Sequence, residues 1–459
     1  MKRKPYPKYK PSGVEWLGDV PEHWEVKRGR FAMSVNPPSP QLRALEQDDE
    51  VSFVPMEAVG VAGGLNLEQR RFLAEISSGY TEFQDGDVVV AKITPCFDNG
   101  KAALACGLLN GAAYGTTELH VLRAGPSTDS SFLFYVAVSD TFRKLGESEM
   151  FGAGGQKRVP AEFCKDFRTP LPPHSEQRAI ATFLDRETGR IDTLIAKKRE
   201  LVERLKEKRT ALISHTVTHG LPPDAAKKAG LPVNPPLKSS GVEWLGDIPK
   251  HWEVKRLKFV IKERLQYGAN ESSGIDDPDL PRYVRITDID EMGKLRPETF
   301  RSLPVEIARE YFLEDGDVLF ARSGATSGKT FLYRHEWGKC AYAGYLIRAR
   351  LNQNKIEPQF LRHFTNSSNY WQWLSSSLIQ ATIQNVSAEK YADLALPLPP
   401  LSEQAAIAAY LDAETAKLDT LVAKIVEAVE RLQEYRTALI TAAVTGKIDI
   451  RNEKGKNES

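Results

Sequence analysis

The chain has 459 residues, which at roughly 150 residues per domain predicts two large domains or about three smaller ones. Its 62 Lys and Arg against 61 Asp and Glu leave a net charge of +1, which excludes a bulk attraction to nucleic acid or membrane. Any such partner must therefore be bound by a local patch. The 41% hydrophobic share is enough to build cores and excludes wholesale disorder.

The sequence predicts a soluble, cytoplasmic protein. The first ten residues are basic but lack the apolar core of a signal peptide, and no apolar run approaches the roughly 20 residues of a membrane span. The four cysteines are far apart and form no Cys-x-x-Cys pair that would indicate zinc or a redox couple. We expect free thiols in a reducing compartment, no bound metal and no membrane contact.

The sequence contains an internal duplication. Ser12–Arg28 returns as Ser240–Arg256, displaced by 228 residues and different at only two positions. A second repeat opens at Leu171–Gln177 and Leu398–Gln404, displaced by 227 residues. A solenoid would repeat throughout with a period of 20 to 50 residues, so this pattern indicates two similar domains instead.

The segments between the repeats are dissimilar. Residues 29–165 and 257–392 share little beyond one Asp-Gly-Asp-Val motif each. The runs Asp87–Ile93, Asp317–Arg322 and Tyr283–Asp288 are rich in β-formers, which predicts mixed α/β inserts with short strands. We call the near-identical repeats the frames and the dissimilar segments between them the inserts. Such a layout is typical of two domains that share a structural role and differ in specificity.

The second repeat predicts a long helix in each copy. Ser175 and Ser402 follow Pro-Pro and precede Glu-Gln, a favourable helix start. Apolar residues recur at heptad spacing, which indicates a coiled coil of about 60 Å per helix. An amphipathic helix lying on a globular core is the alternative, but two such helices of equal length can each supply the other's apolar partner. The predicted seam comprises Leu184, Ile191, Leu194, Leu201, Leu205, Leu212, Leu411, Leu418, Leu421, Ile425, Leu432 and Leu439, with Lys198 interrupting the first copy where the second has Ile425.

Three motifs come close to known catalytic sites without completing them. Ser323–Thr330 resembles a phosphate-binding loop but has a serine where the first glycine belongs. Asn36-Pro-Pro and Asn234-Pro-Pro lack the aromatic ring with which adenine methyltransferases stack a flipped base. Glu25-Val-Lys and Glu253-Val-Lys lack the Pro-Asp of a nuclease site. We therefore predict no catalytic residue and interpret the chain as a binding protein.

Both inserts contain side chains that suit DNA recognition. Arginine can donate two hydrogen bonds to guanine, and Gln or Asn can pair likewise with adenine, whereas lysines in Gly-rich loops suit phosphate contacts. Solvated surface arginines are the commoner case for any single residue. The candidate DNA-binding residues are Lys92, Thr94, Lys101, Gln156, Lys157, Arg158, Arg282, Arg285, Arg322, Ser323, Thr326 and Lys329.

The chain resembles the specificity subunit of type I restriction-modification systems. The motifs that carry the resemblance are Pro-Leu-Pro-Pro-His-Ser-Glu-Gln177 and Pro-Leu-Pro-Pro-Leu-Ser-Glu-Gln404 at the helix starts, Ser-Gly-Val-Glu-Trp-Leu-Gly-Asp at both unit starts, and Gly316–Gly324. Together with the duplicated layout they cover nearly the whole chain.

The resemblance implies an α+β fold in which mixed α/β target-recognition domains are joined by two long helices that form an antiparallel coiled coil, with an internal pseudo-two-fold repeat. Each recognition domain would read one half of a bipartite, asymmetric site in double-stranded DNA, and the helices would set the spacer between the halves. Two modification subunits would dock on the frame and use S-adenosylmethionine, and two restriction subunits that use ATP and Mg could join them. The chain itself would bind no cofactor and would act in the cytoplasm of a bacterium or archaeon.

The expected boundaries are 1–170 for the first recognition domain, 171–222 for the first helix, 223–240 for a linker, 241–397 for the second recognition domain, 398–450 for the second helix and 451–459 for a polar tail. Two alternatives from other classes stay open. The chain could be a self-sufficient DNA methyltransferase or ATPase with degenerate motifs, or a coiled-coil scaffold that binds only proteins.

Overall fold

A computed structural model describes residues 4–76, 79–153, 155–272, 275–290, 293–379 and 385–451. The chain divides into two compact units. Unit 1 comprises Met1–Arg199 with Glu427–Ser459, and unit 2 comprises Glu200–Val426. Apart from Arg451, the predicted polar tail lies outside the described residues.

Two α-helices are much longer than the others, with 46 residues in α6 and 44 in α12. The helices are α1 (Gly29–Ala32), α2 (Pro40–Arg43), α3 (Ser130–Ala137), α4 (Asp140–Ser148), α5 (Ala161–Asp166), α6 (His174–His219), α7 (Pro223–Lys228), α8 (Val305–Ala308), α9 (Pro358–Phe364), α10 (Ser368–Ile379), α11 (Ala388–Ala392) and α12 (Leu401–Val444).

Unit 1 contains two four-stranded sheets with the orders β4-β11-β8-β9 and β6-β5-β10-β7, and the two-stranded pairs β1-β2 and β3-β12. All pairs are antiparallel except β5-β10, which is parallel. The strands are β1 (Tyr9–Pro11), β2 (Asp19–Pro21), β3 (Glu25–Arg28), β4 (Met33–Val35), β5 (Glu50–Val54), β6 (Arg70–Phe72), β7 (Thr81–Gln84), β8 (Asp87–Ala91), β9 (Ala102–Leu104), β10 (Ala112–Gly115), β11 (Leu119–Ala124) and β12 (Arg168–Leu171).

Unit 2 contains one four-stranded sheet of order β16-β21-β18-β19, the parallel pair β17-β20, and the antiparallel pairs β13-β14 and β15-β22. Its main sheet thus has the same order of strands as the first sheet of unit 1, although the two inserts share little sequence. The strands are β13 (Leu237–Ser239), β14 (Asp247–Pro249), β15 (Glu253–Arg256), β16 (Gln266–Tyr267), β17 (Arg282–Val284), β18 (Val318–Ala321), β19 (Thr330–Leu332), β20 (Cys340–Tyr342), β21 (Leu346–Ala349) and β22 (Ala395–Leu398).

Two sequence expectations about local structure are corrected. The segment predicted to be a linker contains α7 and β13, because β13 pairs with β14 as β1 pairs with β2. The predicted strand Tyr283–Asp288 ends at Val284. A 3-10 turn follows over Ile286–Asp288, where the Asp288 carboxylate accepts a hydrogen bond from the backbone N–H of Arg285.

The long helices pack on each other inside both units. In unit 1 the Arg436 guanidinium of α12 binds the Asp192 carboxylate of α6 at 2.9 Å. In unit 2 the Arg209 guanidinium of α6 binds the Asp419 carboxylate of α12, also at 2.9 Å. Each of these ion pairs joins α6 to α12 within a single unit.

Three of the leucines predicted to lie in the coiled-coil seam are exposed in the structure. Leu194, Leu201 and Leu421 are 43%, 45% and 44% exposed, so their placement in the seam is wrong. The residue next along the helix faces inward instead, as Ile195 and Val202 show. Successive residues of an α-helix are about 100° apart around the helix axis. Because Ile195, four residues after Ile191, faces inward, Leu194, three residues after Ile191, faces outward.

The side chains of the other predicted seam residues are buried or partly buried in the protein. Leu184, Ile191, Leu411, Ile425 and Leu439 are buried, whereas Leu205, Leu212, Leu418 and Leu432 are partly buried. Burying one such side chain contributes about 1.5–3 kcal/mol. A coiled-coil seam built from these residues stays a prediction.

Candidate nucleic-acid interface

Three segments of unit 1 meet where β8 ends. The backbone N–H of Lys92 donates to the carbonyl of Glu118 at 2.9 Å, and the N–H of Val159 donates to the carbonyl of Lys92 at 2.8 Å. The loop after β8, the residue before β11 and the segment before α5 are thereby fixed beside one another. We call this place, formed by Lys92, Glu118 and residues 155–158, the reading edge of unit 1.

A bidentate ion pair lies on this edge. The Arg158 Nε and Nη2 donate to the Glu118 carboxylate at 2.9 and 2.8 Å. The Arg158 hydrogen bonds lower the pKa of Glu118, and the carboxylate in turn raises the pKa of Arg158. Both groups therefore stay ionised at neutral pH in a fixed orientation.

The other residues predicted in unit 1 have different environments. The Thr94 hydroxyl donates to the carbonyl of Lys157 at 3.0 Å and accepts from its N–H at 2.9 Å, so it holds the loop. Gln156 and Lys157 are exposed and suit contact with a ligand. The Lys101 ammonium donates to the carbonyl of Met56 at 2.8 Å, so part of its donor capacity is used internally.

Unit 2 has an edge with the same backbone connections. The N–H of Arg322 donates to the carbonyl of Tyr345 at 3.0 Å, and the N–H of Val386 donates to the carbonyl of Arg322 at 2.8 Å. These bonds repeat the two that fix Lys92 in unit 1. Arg322, Tyr345 and Asn385 form the reading edge of unit 2.

The side chains on this second edge are an arginine, an aromatic ring and an amide. The Arg322 guanidinium lies 4.9 Å from the ring centroid of Tyr267, and its Nε donates to the Asn385 Oδ1 at 3.3 Å. Tyr345 is 64% exposed. A guanidinium held over a ring and beside an amide is a pre-oriented donor pair, which suits guanine O6 and N7.

The Gly-rich loop of unit 2 is the turn of a β-hairpin. The N–H of Ala321 donates to the carbonyl of Lys329, and the N–H of Gly328 donates to the carbonyl of Ala321, both at 2.9 Å. A strand, β19, follows at once, whereas a phosphate-binding loop of NTPases leads into a helix. The resemblance to that motif is therefore superficial. Within the turn Lys329 is exposed, and Ser323 and Thr326 are partly exposed.

Two predicted arginines of unit 2 serve the fold. Arg285 donates to the buried Asp288 carboxylate at 2.7 and 3.0 Å and to the carbonyl of Thr299 at 2.9 Å. Arg282 donates to the carbonyl of Arg296 at 2.6 Å. Their guanidinium groups hold neighbouring loops together, so we leave both out of the proposed interface.

Sequence reasoning missed three residues of the reading edges, namely Glu118, Tyr345 and Asn385. The available signal was the 227-residue displacement, which relates Glu118 to Tyr345 and Arg158 to Asn385. The dissimilar sequences of the inserts concealed that these positions correspond, and the backbone hydrogen bonds reveal it.

The remaining motifs that resemble catalytic sites are bound to neighbouring groups of the chain. Asn36 adopts a left-handed backbone with φ of 52°, and its Oδ1 accepts from the N–H of Val121 at 2.8 Å, so it joins β4 to β11. Lys27 forms an ion pair with Glu25 at 2.6 Å on the surface of β3. Among the described residues, no group of three His, Cys, Asp or Glu side chains is arranged to hold a metal ion.

No helix in the described part of the chain is both long enough and apolar enough to cross a membrane.

Several known proteins are similar to this chain in sequence or in fold. Residues 249–431 match the family described as "Type I restriction modification DNA specificity domain". The type I restriction enzyme EcoEI specificity subunit of Escherichia coli is 26% identical over 93% of this chain and 83% of its own length. The EcoAI specificity subunit of Escherichia coli is 39% identical over 39% of this chain and 30% of its own length.

The fold has been seen before. The HsdS subunit of Thermoanaerobacter tengcongensis aligns with a TM-score of 0.53 and 19% identity, over 93% of this chain and 98% of that one. A chain from a structure of a type I R-M system aligns with a TM-score of 0.71 and 19% identity over the same shares. The sequence matches and the duplicated frame make the chain similar to type I restriction-modification specificity subunits over most of its length, and the solved structures share its fold.

Proposed function

We propose that the chain is the DNA-recognition subunit of a type I restriction-modification complex and that each unit reads one half of a bipartite, asymmetric site. The observation that carries the proposal is the pair of reading edges. Two edges with the same backbone connections present different side chains, as two readers of different half-sites must. We assign residues 1–170 and 241–397 to the two recognition domains.

The chemistry of each edge suits the reading of bases. In unit 2, Arg322 would donate to guanine, with discrimination of about 1–3 kcal/mol for a good bidentate pair. In unit 1, Glu118 would accept from an exocyclic amine, and Lys157 would bind phosphate. The phosphate contacts would make the affinity depend steeply on salt, although the net charge is only +1.

The long helices would form an antiparallel coiled coil that sets the distance between the half-sites. The matching ion pairs Arg436–Asp192 and Arg209–Asp419 support a pseudo-two-fold relation between the two halves of the sequence, since Arg209 and Arg436 are 227 residues apart, as are Asp192 and Asp419. Inserting four residues after Ala196 adds about 6 Å of helix. Such a variant should prefer a longer spacer with both half-sites unchanged, and an unchanged spacer in methylation mapping would refute this role.

The partners follow from this role. Two modification subunits would bind the frame and transfer methyl groups from S-adenosylmethionine to adenines of double-stranded DNA. Two restriction subunits could join them and supply cleavage driven by ATP and Mg. The chain would position these reactions and perform none itself.

Co-expression with its modification subunit in a host that lacks adenine methylation tests the proposal. Methylome sequencing should reveal one split motif with two dissimilar halves. The same host with the modification subunit alone is the control. Methylation without this chain, or at a continuous motif, would contradict the proposed function, and turnover of S-adenosylmethionine or ATP by the isolated chain would favour an enzyme instead.

A further inference from the structure

An exposed phenylalanine stands three residues after the first repeated frame in both units. The segment Glu25–Phe31 reads Glu-Val-Lys-Arg-Gly-Arg-Phe, and Glu253–Phe259 reads Glu-Val-Lys-Arg-Leu-Lys-Phe. Phe31 is 69% exposed and Phe259 is 55% exposed. Exposing a large aromatic ring costs hydrophobic free energy, yet both units do so at the same distance from the frame.

The two rings have the same charged surroundings. In unit 1, Arg28 and Arg30 both pair with Asp166. In unit 2, Arg256 and Lys258 pair with Asp393 at 3.1 and 2.7 Å. Together with the surface pairs Glu25–Lys27 and Glu253–Lys255, these side chains define the Phe31 patch and the Phe259 patch. Each patch holds three cations and two carboxylates around one aromatic ring.

The fold does not explain why the exposed residues match. Trp24 and Trp252 are fully buried, so packing accounts for their identity. Arg28 and Arg256 are exposed, and surface ion pairs of this kind stabilise a protein by only about 0–1 kcal/mol. The reading edges of the same two units have meanwhile diverged. A function common to both units accounts for the match between the patches.

The patches lie away from the reading edges. In unit 1, Met33 follows the Phe31 patch and pairs with Ala124 at the end of β11, whereas Glu118 precedes its start. The six residues of β11 span about 20 Å at 3.4 Å per residue. In unit 2, Ile261 pairs with Leu351, beyond the end of β21, and Tyr345 precedes its start. DNA bound at an edge would leave the patch of that unit free.

We propose that the Phe31 patch and the Phe259 patch each dock one copy of the modification subunit. This inference rests on the proposed function. A partner that binds only what the two units share must bind twice and in the same way, which is what two identical subunits do. Since cations outnumber carboxylates in each patch, the matching surface of the modification subunit is an apolar pocket for the ring with acidic residues at its rim.

Native mass spectrometry of the full-length chain with its modification subunit tests the inference. The wild type should bind two copies, Phe31→Ala and Phe259→Ala one copy each at a concentration that saturates the wild type, and the double variant none. Loss of a central aromatic anchor should weaken the site at least about tenfold. Phe72→Ala is the matched control, because Phe72 is 45% exposed on β6, within the first insert.

Two further measurements distinguish docking of the modification subunit from a role of the patches in stability or in DNA binding. Thermal melting should be unchanged in all variants, because both rings are exposed. A double variant that still binds two modification subunits overturns the inference, and so does one that loses DNA affinity while keeping both copies, which would make the patches a DNA surface. If the wild type binds no modification subunit at all, the proposed function fails together with this inference.

Discussion

The reading edges of the two units have the same backbone and different side chains. The backbone bonds that fix Lys92 in unit 1 recur around Arg322 in unit 2. At the neighbouring positions unit 1 has Glu118 and Arg158 locked in an ion pair, whereas unit 2 has an exposed Tyr345 and an amide. Because every amino acid except proline supplies the same N–H and carbonyl groups, an edge built from them tolerates almost any other side chain. The scaffold can therefore be kept while specificity changes.

The frames differ in the opposite sense. The identical residues Trp24 and Trp252 form different bonds, and Tyr6, which precedes the first frame, has no tyrosine counterpart in unit 2. The Glu176 carboxylate accepts from Tyr6 Oη at 2.7 Å and from Trp24 Nε1 at 3.2 Å, and it contacts His23. Among the described residues, its counterpart Glu403 has one such side-chain contact, with His251 at 2.8 Å. Trp252 Nε1 is buried without a hydrogen-bond partner in the described structure. Identity of sequence thus leaves the two frames with unequal polar networks.

The largest expected effect comes from exchanging residues 29–165 for the corresponding insert of a related specificity subunit. One half of the methylated motif should change completely while the other half and the spacer stay the same, because the reading edge of unit 2 is built without these residues. Methylome sequencing measures this. A change in both halves would show that the units are not independent readers.

A smaller effect is expected for Arg322→Lys. Lysine keeps the charge but cannot donate two parallel hydrogen bonds, so methylation of the cognate site should slow by about 5- to 150-fold, which corresponds to about 1–3 kcal/mol. Only the unit 2 half-site should become degenerate. Arg285→Lys is a useful comparison, because Arg285 is bound inside the unit and its replacement should reduce stability without relaxing the motif.

Glu118→Gln should relax the half-site of unit 1 and no other position. The amide can make only one of the two charge-assisted bonds to Arg158, a loss of about 1 kcal/mol. In the wild type the pKa of Glu118 is lowered by Arg158, so the pair contributes above the ordinary glutamate pKa and is lost only as pH falls through the lowered value. Discrimination by wild-type unit 1 should therefore be constant from pH 8 to about 5. A decline within that range would contradict the pairing.

The smallest expected effect is a difference in unfolding free energy between variants of the two frame tryptophans. Trp24→Phe and Trp252→Phe remove equal volumes from equally buried sites, but only the first breaks a hydrogen bond to a carboxylate. We expect Trp24→Phe to cost about 0.5–1.5 kcal/mol more unfolding free energy than Trp252→Phe. Urea denaturation of the two variants measures the difference. Equal losses would mean that water or a shift of Glu403 satisfies Trp252.

The four cysteine thiols differ in burial and in pKa, although nothing in the sequence distinguishes them. Burial raises the pKa of both Cys164 and Cys340 to about 12, whereas Cys106 is exposed. All four cysteines are free, as expected for widely spaced residues. The sequence could indicate that no pair forms, but not which thiol is accessible, because accessibility depends on the surrounding chain.

The sequence by itself determined the features that arise from local pattern and from repetition. The duplicated frames, the two long helices and the strands at Asp87 and Asp317 follow from periodicity and turn residues. The resemblance to type I specificity subunits follows from motifs at both helix starts. It did not determine which leucines face inward, because heptad spacing alone does not choose between the third and fourth residue. Leu194 and Leu421 were misplaced for this reason.

Only the tertiary structure decided the composition of the reading edges. Glu118 and Arg158 are 40 residues apart in the chain, and Arg322 and Asn385 are 63 apart, so no local pattern could connect them. It also showed that Arg285 is bound by the buried Asp288 and that the Gly-rich loop turns between two strands. The physical reason is common to these cases: the role of a polar side chain depends on which groups the fold brings within hydrogen-bond distance, and those groups come from distant segments.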